Sequence, residues 1–262
     1  MRRQREESSF TIGIIITMEE SKLSVLNICV FCKQRSPIVT FVSEEHIVPQ
    51  SLGNTHQELI LEPGVVCDQC NSGKLALLDQ ALLDFLPIKV NRVIGRITNK
   101  KNEHPVLKSA NNVSMRHADD KLHVTVPNSK GIITSQADGL VAAKITLQAN
   151  KMTPKKTEVL ARSLFKILFE SAVKKYGTDW AMLPENDTIR DIVLNGVAIQ
   201  HGFVATSVTK SHDMCFRIDW QNVPPFVGLH NTIFTVGLFG GDVDIDKLKE
   251  EAIKNKHSML FF

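Results

Sequence analysis

The sequence predicts an α+β protein built in two parts: a small module pinned by paired cysteines near the N-terminus, then a larger antiparallel-sheet-plus-helix domain. Three observations carry this. Two Cys-x-x-Cys pairs, Cys29/Cys32 and Cys67/Cys70, bracket the stretch Ser43-Glu44-Glu45-His46-Ile47-Val48-Pro49. From Lys121 onward, short segments alternate apolar and polar residues, as in Lys121-Leu122-His123-Val124-Thr125-Val126. After Thr153-Pro154 a long helical stripe takes over, through Val159, Leu160, Leu164, Ile167, Leu168 and Ala172.

With 262 residues, 43% of them hydrophobic, the chain has the size and composition of a folded protein with a packed core. A formal charge of +3 and a pI near 8.5 neither require nor exclude a nucleic-acid partner, so local charge has to carry that argument. Five cysteines, four of them paired and one isolated at Cys215, do not suit a secreted disulfide scaffold of this length. A reducing compartment with a metal site suits them better, and Cys215 reads as a small buried hydrophobe in a strand. The basic start Met1-Arg2-Arg3-Gln4-Arg5 and the apolar run from Phe10 to Thr17 only superficially mimic a signal peptide. Met18-Glu19-Glu20 stands where a small-residue cleavage site belongs, and the run is too short to span a bilayer. The expectation is a strand behind a basic arm, in a cytoplasmic protein without membrane segments.

Residues 1–22 form that arm and strand, and 23–105 the cysteine module with its following helix. Within the module, Leu23 to Val30 leads into the first knuckle, and the β-rich run Pro37 to Val42 is expected as a strand that places His46 at its end. Ser51-Leu52-Gly53-Asn54-Thr55 is turn chemistry, and 56–63 should be the returning loop. Asn71 to Phe85 reads as a helix with Leu75, Leu78, Leu82 and Leu83 on one face and Pro87 as its stop. Lys89, Arg92, Arg96, Lys100, Lys101 and Lys108 then face a single Glu103. Such a run is either a solvated face or a phosphate-tracking surface.

Residues 106–262 form the second domain. Strands are expected at Lys121 to Val126, Gly131 to Thr134 and Leu140 to Leu147, joined as one antiparallel meander. The long helix starts at Thr153-Pro154 by its cap and first-turn proline, and Gly177 stops it. Its apolar stripe wants a sheet to cover. A shorter helix spans Thr188 to Leu194, and strands follow at Phe203 to Val208, Met214 to Trp220 and Thr232 to Phe239. An amphipathic turn, Ile245 to Ile253, precedes the apolar Met259 to Phe262, which should be docked.

The cysteine module offers two kinds of chemistry. Four thiolates spaced as two Cys-x-x-Cys pairs can close a tetrahedral structural Zn²⁺ site through Cys29, Cys32, Cys67 and Cys70. Glu45, His46 and Asn71 instead supply hard oxygens and an imidazole, suited to a different cation and to proton transfer near neutral pH. If the strand is extended, Glu45 and His46 point to opposite faces, and a local kink must bring both to one metal.

Cys29-Val30-Phe31-Cys32, then Ser43-Glu44-Glu45-His46-Ile47-Val48-Pro49-Gln50-Ser51-Leu52-Gly53-Asn54, then Val65-Val66-Cys67-Asp68-Gln69-Cys70-Asn71-Ser72-Gly73, resemble the zinc-stapled HNH endonucleases. The resemblance implies a ββα-metal fold, in which a β-hairpin carries the histidine and the next helix closes over one divalent cation. It implies phosphodiester hydrolysis with His46 as general base and with Mg²⁺ or Mn²⁺ held by Glu45 and Asn71. Glu44 is the alternative ligand, and a helix cap is the alternative role for Asn71. The family's middle asparagine, which fixes the loop and orients the histidine, has no match: Glu62 stands near that place, with His56 as the other candidate.

The function expected is a metal-dependent HNH endonuclease acting on DNA, in restriction or antiphage defence. RNA is not excluded as substrate. Arg92, Arg96, Lys100 and Lys101, or Lys151, Lys155 and Lys156, are the candidate phosphate contacts. One active site cutting both strands would need a homodimer or two encounters. The alternative is a zinc-knuckle protein that binds nucleic acid without cutting it, a reading favoured by the altered middle position and disfavoured by the joint presence of Glu45, His46 and Asn71.

Overall fold

The first knuckle closes on itself by local hydrogen bonds: Cys29 N–H donates to Gln34 O, and Lys33 N–H to Cys29 O, each at 2.9 Å. A computed structural model describes this segment and the chain at residues 27–54, 59–99, 101–127, 132–137, 140–144, 147–148, 151–196, 201–207, 216–219, 221, 226–229, 232–238 and 259–261. The expectations for Phe10 to Thr17, Cys215 and Ile245 to Ile253 lie outside these residues. The fold is α+β, as the sequence predicts.

Pro37 to Val42 is not a strand. Its backbone donors are used locally, Val39 N–H by Arg35 O, and Val42 N–H by the Asp68 carboxylate at 3.1 Å. Ile38 and Val42 are left 75% and 81% exposed. The hairpin lies further on, where β1 (Glu45–His46) pairs antiparallel with β2 (Ile60–Leu61), Glu45 opposite Leu61 and His46 opposite Ile60. A short 3₁₀ turn, Gln50–Leu52, ends on Gly53 at φ 98°, a left-handed conformation that favours glycine.

The helix after the second knuckle begins earlier than expected, at the cysteines themselves: α1 (Asp68–Cys70) runs into a π-helical turn, Asn71–Leu75, and on into α2 (Ala76–Asp84). The chain turns at Phe85, and Pro87 opens a further helix, α3 (Leu86–Ile94), instead of stopping the previous one. In a first turn the missing N–H of proline costs nothing. On α3 pack β3 (Leu107–Lys108), β4 (Ser114–Ala118) and β5 (Lys121–Thr125), a three-stranded sheet whose Leu107 and Met115 bury with Val93. Among the described residues, β6 (Ile132–Ala137) and β7 (Leu140–Lys144) pair only with each other, so the expected meander is there two separate sheets.

Thr153 caps α4 (Pro154–Ala181) by accepting from Lys156 N–H, and Gly177 breaks its helical geometry at φ 86°. Every residue from Ser163 to Glu170 is buried. The expected one-sided stripe is therefore too narrow a description, because a helix buried all round needs cover on more than one face. One face of α4 packs on α2, and others on α5 (Asp187–Asn195) and on a five-stranded antiparallel sheet. That sheet is ordered β12-β8-β11-β10-β9, from β8 (His201–Ser207), β9 (Phe216–Asp219), β10 (Phe226–Leu229), β11 (Thr232–Leu238) and β12 (Met259–Phe261). Of the expected apolar end, Met259–Phe261 is docked as this edge strand.

One core joins the cysteine module, α2, α4, α5 and the five-stranded sheet, while the sheet on α3 buries a smaller cluster of its own. Leu78, Leu82 and Phe85 bury with Leu160, Leu164, Ile167 and Leu168 of α4 and with Val227, Leu229 and Phe234 of the sheet. Phe31, from the first knuckle, meets Phe169 at 5.3 Å between ring centroids. Packing thus continues across residues 105 and 106. Among the described residues no helix is long and apolar enough to cross a membrane.

Candidate metal and nuclease centre

The four knuckle sulfurs lie within 4.8 Å of one another, and Cys32 Sγ is 3.7 Å from Cys67 Sγ. A zinc tetrahedron with Zn–S bonds of ~2.3 Å has sulfur–sulfur edges of ~3.8 Å, so the donor set fits that ion. Backbone N–H groups also point at the sulfurs, Cys67 N–H at Cys29 Sγ (3.4 Å) and Cys70 N–H at Cys67 Sγ (3.5 Å). Such donors favour thiolates. Packed this closely the thiols share protons unequally. The hydrogen bond from Cys70 draws Cys29 down to about 5, burial pushes Cys67 up to about 11, and Cys70 is driven well up by its bond to Cys29 and by burial.

Next to the knuckle, Asp68 ties the chain before β1 to the start of α1. Its carboxylate accepts from Ser43 Oγ (2.5 Å), Ser43 N–H (2.9 Å) and Val42 N–H. The Ser43 hydroxyl, the Thr40 hydroxyl and these amides hold its pKa well below the usual carboxylate range.

Asn71 stands where α1 becomes π-helical. The extra residue of a π turn displaces a side chain from the α-helical register, which is why such turns recur at functional sites. The Asn71 Nδ2 donates to Glu44 O at 2.8 Å and to Ser43 Oγ at 3.3 Å. A carbonyl can only accept, so the amide nitrogen must face Glu44 and the amide oxygen turns to the other side. This contact puts Asn71 on the peptide that leads into Glu45 and His46.

β1 is extended and paired, with no kink between Glu45 and His46. Alternation sends the Glu45 side chain inward, where it is 2% exposed, while His46 is half-buried. The Glu45 carboxylate meets Lys166, a fully buried residue of α4, with Nζ 2.6 Å from Oε1. The same ammonium lies 2.9 Å from Asp79 Oδ1, 3.5 Å from Glu170 Oε2 and 3.1 Å from His46 O. Burial opposes the charge on Lys166, but Asp79, Glu170 and Glu45 outweigh it and set its pKa well above the ordinary lysine value. Burial holds Glu170 well above the usual carboxylate range despite Lys166. A divalent cation would fit Asn71 through its amide oxygen, and at Glu45 it would share the carboxylate with Lys166.

At the middle motif position, Glu62 is exposed and His56 lies outside the described residues. The loop is fixed by a residue the motif reading passed over: buried Asn54, whose Nδ2 donates to Val48 O (2.9 Å) and Leu59 O (3.0 Å). Its position after Gly53, closing a turn, was the available signal. Lys166 and Glu170 had one too, a Lys/Glu pair at i, i+4 among the apolar residues of a buried helix.

The basic run divides. Arg92 was a candidate phosphate contact, but it is 9% exposed and burial lowers its pKa, with Asp84 the opposing charge. It sits on the inner side of α3 between Ile88 and Val93, and a guanidinium held there is not presented to a strand of nucleic acid. Arg96 is exposed and held by Asp120, through Oδ1 at 3.3 Å and the carbonyl at 2.8 Å. Lys101, Lys151, Lys155 and Lys156 are exposed, and Lys100 lies outside the described residues. A cavity of about 460 Å³ opens where Ile47 and Leu59 face Lys174, Lys175, Phe216 and Gln221.

Residues 29–86 match the family model described as HNH endonuclease. The module around the cysteine cluster is therefore similar to the HNH endonucleases, a family of nucleases acting on nucleic acid, over less than a quarter of the chain. No curated protein and no solved structure matches the chain. Everything from α3's second residue onward, α4 included, lies outside the family match.

Proposed function

We propose that the chain is a metal-dependent endonuclease that hydrolyses DNA phosphodiester bonds. The observation that carries this reading is the contact of Asn71 with the Glu44 carbonyl, which brings the last motif residue onto the strand of Glu45 and His46 within a segment that matches the HNH family. In it His46 takes the proton of the attacking water, as an imidazole titrating near neutral pH can. Asn71 and Glu45 would hold one divalent cation, Mg²⁺ or Mn²⁺, which when bound supplies charge stabilisation at the phosphate and the departing oxygen. Zinc at the four cysteines would fix where Asn71 begins.

Conversion of supercoiled plasmid to nicked or linear DNA tests this, with EDTA and His46→Ala alongside. Loss of cutting in both, with the variant folded and still holding zinc, supports the reading. A cytoplasmic role in restriction or antiphage defence rests on the resemblance alone. Phage plating on cells expressing wild type or His46→Ala tests it. One observation favours a second reading, a non-cutting nucleic-acid-binding protein: Glu45 is already neutralised by Lys166. DNA binding without cutting under either divalent metal would select that reading.

A further inference from the structure

The hairpin that carries Glu45 and His46 has only two residues in each strand. An isolated hairpin is marginal in water even when longer. Within it, His46 and Ile60 are opposite each other, and the next step of the ladder is bonded, with Ile47 N–H donating to Leu59 O at 3.0 Å. His46 and Ile60 are therefore a non-hydrogen-bonded pair, and their carbonyls turn outward from the ladder. Both are met by lysines of α4. Lys166 Nζ lies 3.1 Å from His46 O, and Lys174 Nζ lies 3.0 Å from Ile60 O. Residues 166, 170 and 174 follow at i, i+4 and i+8, so these ammonium groups share one face of the helix.

We infer that Lys166 and Lys174 are positioning residues of the nuclease centre, clamping the two strands of the His46 hairpin from α4, so that α4 belongs to the catalytic unit although the family match ends before it. The inference rests on the nuclease reading only for its effect on cleavage. Lys166 also holds the Glu45 carboxylate and Asp79, and so joins hairpin, α2 and α4 at one nitrogen. Lys174 meets the hairpin through a backbone carbonyl, apart from the buried carboxylates around Lys166, which makes its role separable from those charges.

The test uses the full-length protein with Lys174→Met, Lys174→Arg and Lys166→Met, and reads zinc content, amide hydrogen exchange at 45–47 and 59–61, and steady-state DNA cleavage. Lys174→Met should keep its zinc and a KM within about twofold of wild type, while kcat falls by ~10-fold, in the range of lost outer-sphere partners. Exchange at the hairpin should quicken, and Lys174→Arg should recover most of both. Lys166→Met should act in the same direction and more strongly. Should it fail to fold, Lys174→Met and Lys174→Arg decide. Unchanged hairpin exchange in Lys174→Met overturns the clamp, as does a lowered melting temperature with kcat unchanged. A rise in kcat in either methionine variant overturns it too. If wild type cuts no DNA, the nuclease reading fails by itself, and the exchange measurement still decides the clamp.

Discussion

Asn71 and Glu44 are joined by a hydrogen bond from the side-chain amide of one to the backbone carbonyl of the other, 2.8 Å long, across 27 residues of chain. The bond makes the start of the helix and the start of β1 a single rigid piece. Asn71→Ala should therefore lose both the amide oxygen offered to a cation and the tether to β1. Nicking should fall roughly 100-fold or more with zinc content unchanged. Asn71→Asp keeps an oxygen but cannot donate to Glu44 O, and should fall between. Rates measured across an Mg²⁺ or Mn²⁺ titration check this, and an Asn71→Ala variant with wild-type rate would remove Asn71 from the centre.

The cysteine cluster should hold one tightly bound zinc, read by elemental analysis. Because four thiolates, their N–H donors and buried Val30, Val66 and Leu75 share this corner, stripping the metal should unfold the module. Chelation under reducing conditions should lower the melting temperature and abolish cleavage. Mg²⁺ alone should not restore it, whereas Zn²⁺ followed by Mg²⁺ should.

Asn54→Ala leaves two loop carbonyls, Val48 O and Leu59 O, without their side-chain donor. The cost should be about 1–3 kcal/mol, for Val48 O alone, because Leu59 O keeps the Ile47 N–H. Denaturant unfolding measures it. A loss under ~0.5 kcal/mol would mean water replaces the amide.

Burial raises the Glu170 carboxyl well above the unfolded value of about 4.3, against the opposing charge of Lys166. The unfolded chain therefore binds fewer protons than the native one above that pH, and the contribution of Glu170 to stability declines as pH rises toward its native value. Glu170→Gln mimics the protonated form. It should be neutral near the unfolded value and increasingly stabilising as pH rises through the native one, flattening the melting temperature over that range, as thermal scans would show.

Arg92→Ala should lower stability and leave DNA affinity nearly unchanged, because the guanidinium is packed inside α3's face. Lys101→Ala, or loss of Lys155 with Lys156, should instead weaken binding and reduce its salt dependence by about one counterion per phosphate contact. Binding isotherms at several salt concentrations separate the two. A salt slope unaffected by the lysine changes would clear these surfaces of a role.

How much of this was legible depends on whether the signal was local. Cys29, Cys32, Cys67 and Cys70 announce their geometry by spacing, and Thr153-Pro154 announces a helix start by cap chemistry, so both could be read directly. Pro37 to Val42 misled because β-branched content reports what a strand would bury, whereas Asp68, 26 residues on, had already taken its Val42 amide. Pro87 misled because a proline stops one helix and starts the next by the same chemistry. The contact of Glu45 with Lys166 could not be read from either segment, since its cause is the packing of α4 on α2. Arg92 looked exposed in composition, and only the phase of α3 turns it inward.

The π turn at Asn71–Leu75 absorbs a residue. A π turn fits one residue more than an α turn into nearly the same rotation, so the extra residue is taken up locally and the cysteines before it stay in helical alignment with Leu78 and Leu82 after it. Gly73 lies in this turn with open space around its Cβ position. Deleting it would let the segment relax to ordinary α-helix while keeping every side chain that chemistry requires. The cysteines would keep their alignment with the core, while Asn71 would lose the displacement that aims its amide at Glu44 O, so the protein would hold its shape and give up its tether to β1.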